Sequence, residues 1–384
     1  MNLISGHTLP EEVFEYQITF QRDSNASKIA KKINASISAR FSPLTFLQMA
    51  IDLGAQDAVH YHLVVTQFKS ILDVSCTLIL DHCFRFVVQR IGPMQGGLYF
   101  RPDVPGLDAS YMPRRYSPVW KAPLPGWKQM LDEASAKMTS SVLPPIFFRA
   151  DDIGAASKAF DALCSLFRFY GVPLAMAVIP AWLSEIRQEK VFRAAPVDEE
   201  LWNWHQHGWR HINWQKEGAK SEFGSDRAPE RQYEDILQGR TKMERIFGPN
   251  FAPVFTPPWN RFSTAALRAL IKLDFKGISA TAPLPPGVKS LCGIKHLPTR
   301  LDLHARKANN PAGDFALLID QFSGISKMKG PTGILIHHQQ MTPFAFEFMD
   351  RMLYNLKYVI GARFSSFKEM LKSPDERPAG ARLR

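Results

Sequence analysis

After Pro145, short apolar runs alternate with stretches of helical periodicity. Ile146–Phe148 predicts a buried strand, and the apolar spacing of Ala155–Tyr170 predicts the helix that follows it. The other predicted strands are Pro173–Ile179, Leu201–Gln206, Val254–Phe255, Gly277–Ala280, His296–Leu303 and Gly333–Ile336, and the other predicted helices are Pro229–Phe247, Ser263–Lys272, Ala312–Phe322 and Thr342–Leu356. This alternation predicts an α/β fold on a parallel sheet, either a barrel or a doubly wound sheet.

The first part of the chain has a less regular pattern and no recognisable chemistry. Apolar residues recur four apart from Ile29 to Phe41 and predict an amphipathic helix, and Ser42–Gly54 predicts a second one. Residues 92–126 are rich in Pro, Gly and Arg, which favours a linker or a wrapping arm. The predicted organisation is an N-terminal region with linker over 1–125, a (β/α) domain over 126–372 and a basic tail over 373–384.

The composition is that of an ordinary globular protein, with 384 residues, 45% hydrophobic and 22% charged. This excludes a disordered or collagen-like chain, and 27 Phe and 8 Trp can supply a large core. No apolar run approaches the roughly 18 residues of a membrane span. Because Met1–Gln17 lacks the basic start and apolar stretch of a signal peptide, we expect a cytoplasmic location.

The net charge of +11 allows two explanations, an acidic partner or a solvated basic surface. A solvated basic surface is the favoured explanation because the basic residues are scattered along the chain, so a nucleic-acid partner is not expected. The four cysteines form no CxxC pair and no zinc-knuckle spacing, which favours buried thiols. The sequence does not determine the oligomeric state.

Side chains capable of chemistry follow four of the predicted strands. These groups are Asp151-Asp152, then His205, His207 and His211, then Pro257-Pro258-Trp259, and last His337-His338. In a parallel barrel the carboxyl ends of all strands meet at one rim, where active sites lie. The predicted convergence indicates an enzyme.

The first two groups also have structural explanations. Asp151 and Asp152 could cap the next helix, because Asp is a good N-cap. A lone pair such as His207 and His211 is more often structural than metal-binding, and His205 would lie behind His207 on the same strand face. One aspartate with two histidines fits zinc or a two-His-one-carboxylate iron site, and the spacing does not separate these metals.

Four segments, in order, resemble motifs of the polysaccharide deacetylase superfamily, over about residues 145–372. Phe148–Gly154 resembles the first motif, in which the first Asp is the catalytic base and the second binds a metal. His207–His211 is similar to the second motif, whose two histidines complete the metal site. Phe255–Trp259 resembles the third, with Thr256 where the family has Arg. Ile334–His337 resembles the last motif, whose His is the general acid.

The resemblance implies a distorted (β/α) barrel of the polysaccharide deacetylase type, of roughly six to eight strands, with a smaller N-terminal extension. It implies a hydrolase that removes an acyl group from a carbohydrate or sugar-containing substrate, and the favoured acyl group is N-acetyl. In the implied site, Asp152, His207 and His211 bind one divalent ion, for which zinc is favoured. Asp151 is the base and His337 is the acid. The backbone N–H of Trp259, beside Pro258, is the oxyanion donor.

Departures from the motifs leave some roles open. Arg149 or Arg261 could replace the family arginine that is missing at Thr256, and Asp302 is the candidate to orient His337. His338 is the alternative acid. A catalytically inactive carbohydrate-binding homologue and a two-His-one-carboxylate iron enzyme remain alternative functions.

Overall fold

The computed structural model describes residues 111–139, 143–281, 293–304 and 310–372, together with the backbone of five strands nearer the N-terminus. The chain divides into two compact units, Met1–Pro105 and Gly106–Arg384. The helices predicted between residues 29 and 54, and the basic tail at 373–384, lie outside the described residues.

The strands of the first unit pair antiparallel in two sheets, one of order β1-β4-β5 and one of β2 with β3. They are β1 (Gln17–Phe20), β2 (Ala58–Gln67), β3 (Ser70–Ile79), β4 (Phe84–Ile91) and β5 (Gln95–Pro102). The structure therefore has a strand, β5, where the glycine-rich composition favoured a linker. All eight residues of β5 pair with β4, and that pairing outweighs the weak strand preference of its glycines.

The second unit contains an eight-stranded sheet in which every neighbouring pair is parallel. Its strands are β6 (Ile146–Ile153), β7 (Leu174–Val178), β8 (Trp202–His207), β9 (Phe251–Thr256), β10 (Gly277–Ile278), β11 (Lys295–His296), β12 (Thr299–Asp302) and β13 (Thr332–Ile336). The spatial order is β11-β10-β9-β8-β7-β6-β13-β12. Every residue of β7, β8 and β13 is buried, as in a parallel sheet covered on both faces.

The two edges of this sheet meet. The edge strands β11 and β12 are separated in sequence only by Leu297 and Pro298. Leu297 N donates to Ile278 O at 2.9 Å, and Gly333 N donates to Pro298 O at 2.9 Å. Because two residues span at most about 7 Å, β11 and β12 together form one segment between β10 and β13, and this segment closes the curled sheet. The prediction of a distorted (β/α) barrel is confirmed.

Helices follow most of the strands of the second unit. They are α1 (Trp127–Met138), α2 (Lys158–Tyr170), α3 (Glu185–Ala194), α4 (Pro229–Phe247), α5 (Thr264–Lys272), α6 (Pro311–Ser323), α7 (Pro343–Tyr354) and α8 (Phe367–Leu371). Single helical turns occur at Pro118–Trp120, Pro180–Trp182, Gly248–Asn250, Pro258–Asn260, Gly324–Lys327 and His338–Gln340, and a π-helical turn at Asn355–Val359. No helix among the described residues is both long and apolar enough to cross a membrane.

Three of these helices, α1, α3 and α8, were absent from the sequence prediction. Helix α3 buries only Val191, so it has little apolar periodicity to detect. Helix α1 is tied to α7 by an ion pair between Asp132 and Arg351. The segment before α1 also packs on the barrel domain, because Trp120 is buried and donates to Leu303 O at 2.7 Å.

Candidate metal centre

The barrel interior changes from apolar to polar along β6. Phe147, Arg149 and Asp151 alternate in sequence and so share one face of the strand. Phe147 packs against Phe367 of α8 in an apolar cluster where β6 begins. Arg149 and Asp151 are buried polar groups further along the strand. The side chains capable of chemistry therefore lie toward the carboxyl ends of the strands.

Asp152, His207 and His211 meet at this end of the barrel. The Nε2 atoms of both histidines lie 3.3 Å from Oδ1 of Asp152. One ligand atom from each of the three residues lies within 4.8 Å of the others. Donors held about 2.0–2.2 Å from a tetrahedral zinc ion are roughly 3.3–3.6 Å apart, so the spacing suits one shared ion.

The carboxylate of Asp152 has the character that a cation site needs. Its side chain is 25% exposed, but Oδ1 is buried and has no hydrogen-bond partner of normal geometry among the described residues. Burial acts to raise the pKa of Asp152, but the nearby imidazoles, His207 first, bring this pKa below its ordinary value. The three residues fit a divalent ion because an ionised, buried oxygen here faces two imidazole nitrogens.

The two histidines differ in electrostatics. Burial acts to lower the pKa of His207, but Asp151 and Asp152 raise this pKa above its ordinary value. The two carboxylates therefore favour a positive charge, from a proton or a metal ion, at Nε2 of His207. Burial lowers the pKa of His211 to about 4, with a further contribution from His207. His211 is consequently neutral near pH 7, the form that binds a metal.

His207 is oriented from the neighbouring strand. Its Nδ1 lies 3.0 Å from Thr256 O on β9, which leaves Nε2 facing Asp152. His205 lies behind it, with Nε2 2.9 Å from Thr256 Oγ1 and Nδ1 3.2 Å from Asn203 O. Burial lowers the pKa of His205 to about 3, so its ring is neutral. Thr256 thus supports both histidines, in the position where the motif has an arginine.

Asp151 is held by Arg149. Both carboxylate oxygens accept from this guanidinium, Oδ1 from Nε at 2.8 Å and Oδ2 from Nη2 at 2.9 Å. Arg149 also donates to Ser279 O, Ser279 Oγ and Asn260 Oδ1. Burial acts to raise the pKa of Asp151, but Arg149, with His207 and His337, brings this pKa below its ordinary value. Asp151 is therefore an anion near pH 7, held in one orientation.

The capping alternative for the two aspartates is wrong. Helix α2 begins after Ser157, whose hydroxyl accepts from Phe160 N at 3.2 Å, so Ser157 and neither aspartate is the cap.

Arg261, the other candidate to replace the family arginine, donates to Lys220 O, which lies in the connection between β8 and α4. The structure therefore pairs Arg149 with Asp151.

Backbone strain is concentrated at this site. Among the described residues, five that are not glycine have a positive φ. Four of them belong to the site: Asp152 at 63°, His211 at 59°, Trp259 at 56° and Asn260 at 57°. Such left-handed residues persist only where their surroundings hold them, and they are typical of functional sites.

The turn after β13 lies on the other side of Asp152. Gln339 Nε2 donates to Asp152 O at 2.7 Å, and the charge of His337 lowers the pKa of both aspartates. His338 is buried against Phe160, with ring centroids 5.5 Å apart, and burial lowers the pKa of His338 to about 4. Asp302 Oδ1 accepts from His304 N at 2.9 Å, and its role toward His337 stays a prediction.

Trp259 and Pro258 form the wall beside the metal ligands. The indole of Trp259 lies 4.3 Å from the ring of His211, measured between centroids. Trp182 lies at 5.9 Å from the same ring. Pro258 is buried against Gly208, where an added Cβ would lie 2.6 Å from Pro258 Cγ. The role of the Trp259 N–H as an oxyanion donor stays a prediction.

Three residues of the site carried no sequence signal that we used: Ser279, Asn260 and Glu222. Ser279 and Asn260 bind the far side of Arg149 from the ends of other strands. Glu222 is fully buried and accepts from three backbone N–H groups of the 209–211 segment. Burial raises the pKa of Glu222, and the three N–H groups oppose that rise. Among the contacts that hold this site, the pairing of Arg149 with Asp151 is the one that strand alternation in the sequence could have revealed.

No protein-family model matches the chain, and no curated protein matches it. Among solved structures, a family 4 acetyl xylan esterase from Clostridium thermocellum in complex with a cobalt ion is similar at 15% identity and a TM-score of 0.39, covering 59% of this chain and 89% of that one. A polysaccharide deacetylase from Bacillus cereus is similar at 14% identity and a TM-score of 0.36, covering 62% and 94%.

A CE4 family pseudoenzyme from Bacillus anthracis is also similar, at 12% identity and a TM-score of 0.39, covering 60% of this chain and 66% of that one. Likeness at this level says nothing about activity. The chain is thus similar to solved polysaccharide deacetylases, the group of proteins that its four sequence motifs resemble.

Proposed function

We propose that this protein is a metal-dependent hydrolase that removes an acyl group from a carbohydrate or sugar-containing substrate. The favoured acyl group is N-acetyl. One observation carries the proposal. A buried carboxylate outside the ligand set, Asp151, is held as an anion by Arg149 directly beside the cluster of Asp152, His207 and His211. A structural metal site would not need this second carboxylate.

The residues divide the chemistry among themselves. A divalent ion bound by Asp152, His207 and His211 would polarise the substrate carbonyl and lower the pKa of a bound water. Asp151 would take a proton from the attacking water at a carboxylate oxygen, because it is ionised and its orientation is fixed. The negative oxygen that develops is stabilised by a backbone N–H, for which Trp259 is the candidate.

The leaving group then needs a proton, and His337 is the proposed donor. It lies on the turn after β13, on the opposite side of Asp152 from the turn that holds His211, and its charge is felt by both aspartates. His338 is the less suitable donor because its ring is buried against Phe160. Zinc is the first choice of metal, since one carboxylate and two imidazoles leave an open coordination position.

The test starts with the purified chain and its metal content. We expect about one divalent ion per chain, and release of acetate from N-acetylated saccharides that stops with a chelator and returns with zinc. The Asp151→Asn variant is the matched control, because it keeps all three ligands. Saccharide binding without acetate release would instead support the inactive homologue. Oxygen consumption with ferrous iron would support the two-His-one-carboxylate oxygenase, which the same ligand set allows.

A further inference from the structure

Glu222 lies in the long connection between β8 and α4, outside every motif and every role assigned above. Its side chain is fully buried. Oε1 accepts from Arg210 N at 2.7 Å, and Oε2 accepts from Trp209 N at 3.3 Å and from His211 N at 3.1 Å. Three successive backbone N–H groups thus converge on one carboxylate, as in an anion-binding nest.

The segment that Glu222 holds is a strained turn. Gly208 and His211 both have a left-handed backbone, with φ of 58° and 59°. A Cβ added at Gly208 would lie 2.3 Å from Glu222 Oε2, so the carboxylate is packed directly against the turn. A left-handed residue that is not glycine, such as His211, must be held in place by its surroundings.

The carbonyl groups of the same turn are held from the other side. Ala181 N donates to Trp209 O at 3.0 Å, and Trp182 Nε1 donates to Arg210 O at 3.1 Å. Glu222 therefore completes a clamp in which the three N–H groups of the turn and the carbonyl groups of Trp209 and Arg210 have partners. Glu222 itself is fixed by its neighbour Phe223, which is buried and pairs with Phe262.

His211 depends on this clamp more than His207 does. His207 is the last residue of β8 and is oriented by Thr256 on the adjacent strand. His211 lies four residues beyond the end of the strand. The direction of its imidazole toward Asp152 is consequently set by the conformation of the turn.

We infer that Glu222 is the positioning residue of the metal centre, whose buried carboxylate fixes the 209–211 turn and so aims His211 at the ion. The inference rests on the proposed metal site. Glu222 is not itself a ligand, since its two oxygens are directed at the backbone of the turn. It holds the backbone of a ligand without occupying a coordination position.

The test uses Glu222→Gln, with Glu222→Asp as a second variant and Asp235→Asn as the control. The Gln side chain keeps the size of Glu but turns one acceptor into a donor. The Asp side chain keeps the carboxylate but is shorter by one methylene, so it reaches the turn less well. Glu222→Asp serves as the second variant if Glu222→Gln does not fold. Asp235→Asn breaks the ion pair with Arg227, an anchor of the same connection that does not touch the turn.

Two readouts are needed. Zinc affinity, measured by competition with a chelator, should fall about 10–100-fold in Glu222→Gln, the usual effect of losing a partner that orients a ligand. The absorption spectrum of the cobalt-loaded protein should change with it. Exchange of the amide hydrogens of residues 209–211 should become faster, while the Asp235→Asn control keeps the zinc affinity and cobalt spectrum of the wild type.

The outcomes separate the inference from the proposed function. Wild-type zinc affinity and an unchanged cobalt spectrum in both Glu222 variants would overturn the inference and leave the proposed function standing. Equal losses in Asp235→Asn would also overturn it, because any anchor of the connection would then suffice. If the wild type binds no metal, the proposed function fails, and amide exchange in the variants still decides whether Glu222 holds the turn.

Discussion

The two turns that face each other across Asp152 are built in different ways. In the turn at 207–211, the backbone N–H groups of residues 209–211 donate to Glu222, and Thr256 O orients the imidazole of His207. In the turn at 337–340, Nδ1 of His337 and both ring nitrogens of His338 are buried without hydrogen-bond partners among the described residues. A contact from Gln339 to Asp152 O ties this second turn to the site.

The difference separates two tasks of the proposed enzyme. A metal ligand must hold one position before the ion arrives, because the cost of ordering it would otherwise weaken binding. A proton donor completes its hydrogen bonds with the reacting molecule, and such contacts are often incomplete in a free enzyme. The comparison therefore predicts that damage to the first turn removes the metal, and that damage to the second leaves the metal in place.

The largest expected effect is on metal binding by His211→Ala. Zinc affinity should fall by more than the roughly 10–100-fold cost of losing an outer partner, because a ligand itself is removed. Zinc content after dialysis against buffered free zinc provides the measurement. His337→Gln is the matched change in the other turn and should retain the ion. Equal zinc content in the two variants would contradict the division between the turns.

The next effect separates the adjacent aspartates. Asp151→Asn should keep the metal and lose turnover by about 10²–10⁴-fold, the usual contribution of a general base. Asp152→Asn should lose metal affinity and activity together, since its Oδ1 faces both imidazoles. Zinc content and acetate release, measured side by side, check this prediction. Full metal and normal turnover in both variants would show that neither aspartate has the proposed role.

A comparison of His337→Gln with His338→Leu sharpens the assignment in the second turn. The His337→Gln variant should lower turnover by about 10²-fold or more without loss of metal, as expected for a missing general acid. The His338→Leu variant should keep most of the turnover, because His338 is buried against Phe160 and kept neutral. If His338→Leu caused the larger loss of acetate release, the acid would be His338.

The smallest effect concerns Arg149 and the acid limb of the activity profile. Arg149 lowers the pKa of Asp151, so the wild type keeps the base ionised to a lower pH than an unpaired carboxylate would. In Arg149→Lys the two-point contact is lost and this pKa rises. The acid limb of kcat, measured at saturating zinc, should then move to higher pH by about 1 unit or less, since an opposite charge lowers a carboxyl pKa by about 1–3 units. A shift to lower pH would contradict the pairing.

Which residues meet at the site was predictable before the structure was known. The alternation of apolar runs with helical stretches predicted a parallel sheet, the resemblance to the deacetylase motifs implied a barrel, and a parallel barrel brings the carboxyl ends of its strands to one rim. This is why Asp152 and His211, 59 positions apart in the numbering, were expected together and are found 3.3 Å apart. The pairing of Arg149 with Asp151 was also within reach, because residues two apart on a strand share a face.

Tertiary structure alone decided how those residues are held. Glu222 and Asn260 lie in connections whose local sequence has no periodicity to mark them, and the strand pattern around Ser279 does not reveal its partner. The partners of these three residues are backbone groups or a buried guanidinium. The left-handed backbone of Asp152 and His211 is likewise unfavourable locally and exists because distant contacts over-determine it. A hydrophobic pattern fixes the direction and order of strands, but the closing of a hydrogen-bond network depends on distances that exist only in the folded barrel.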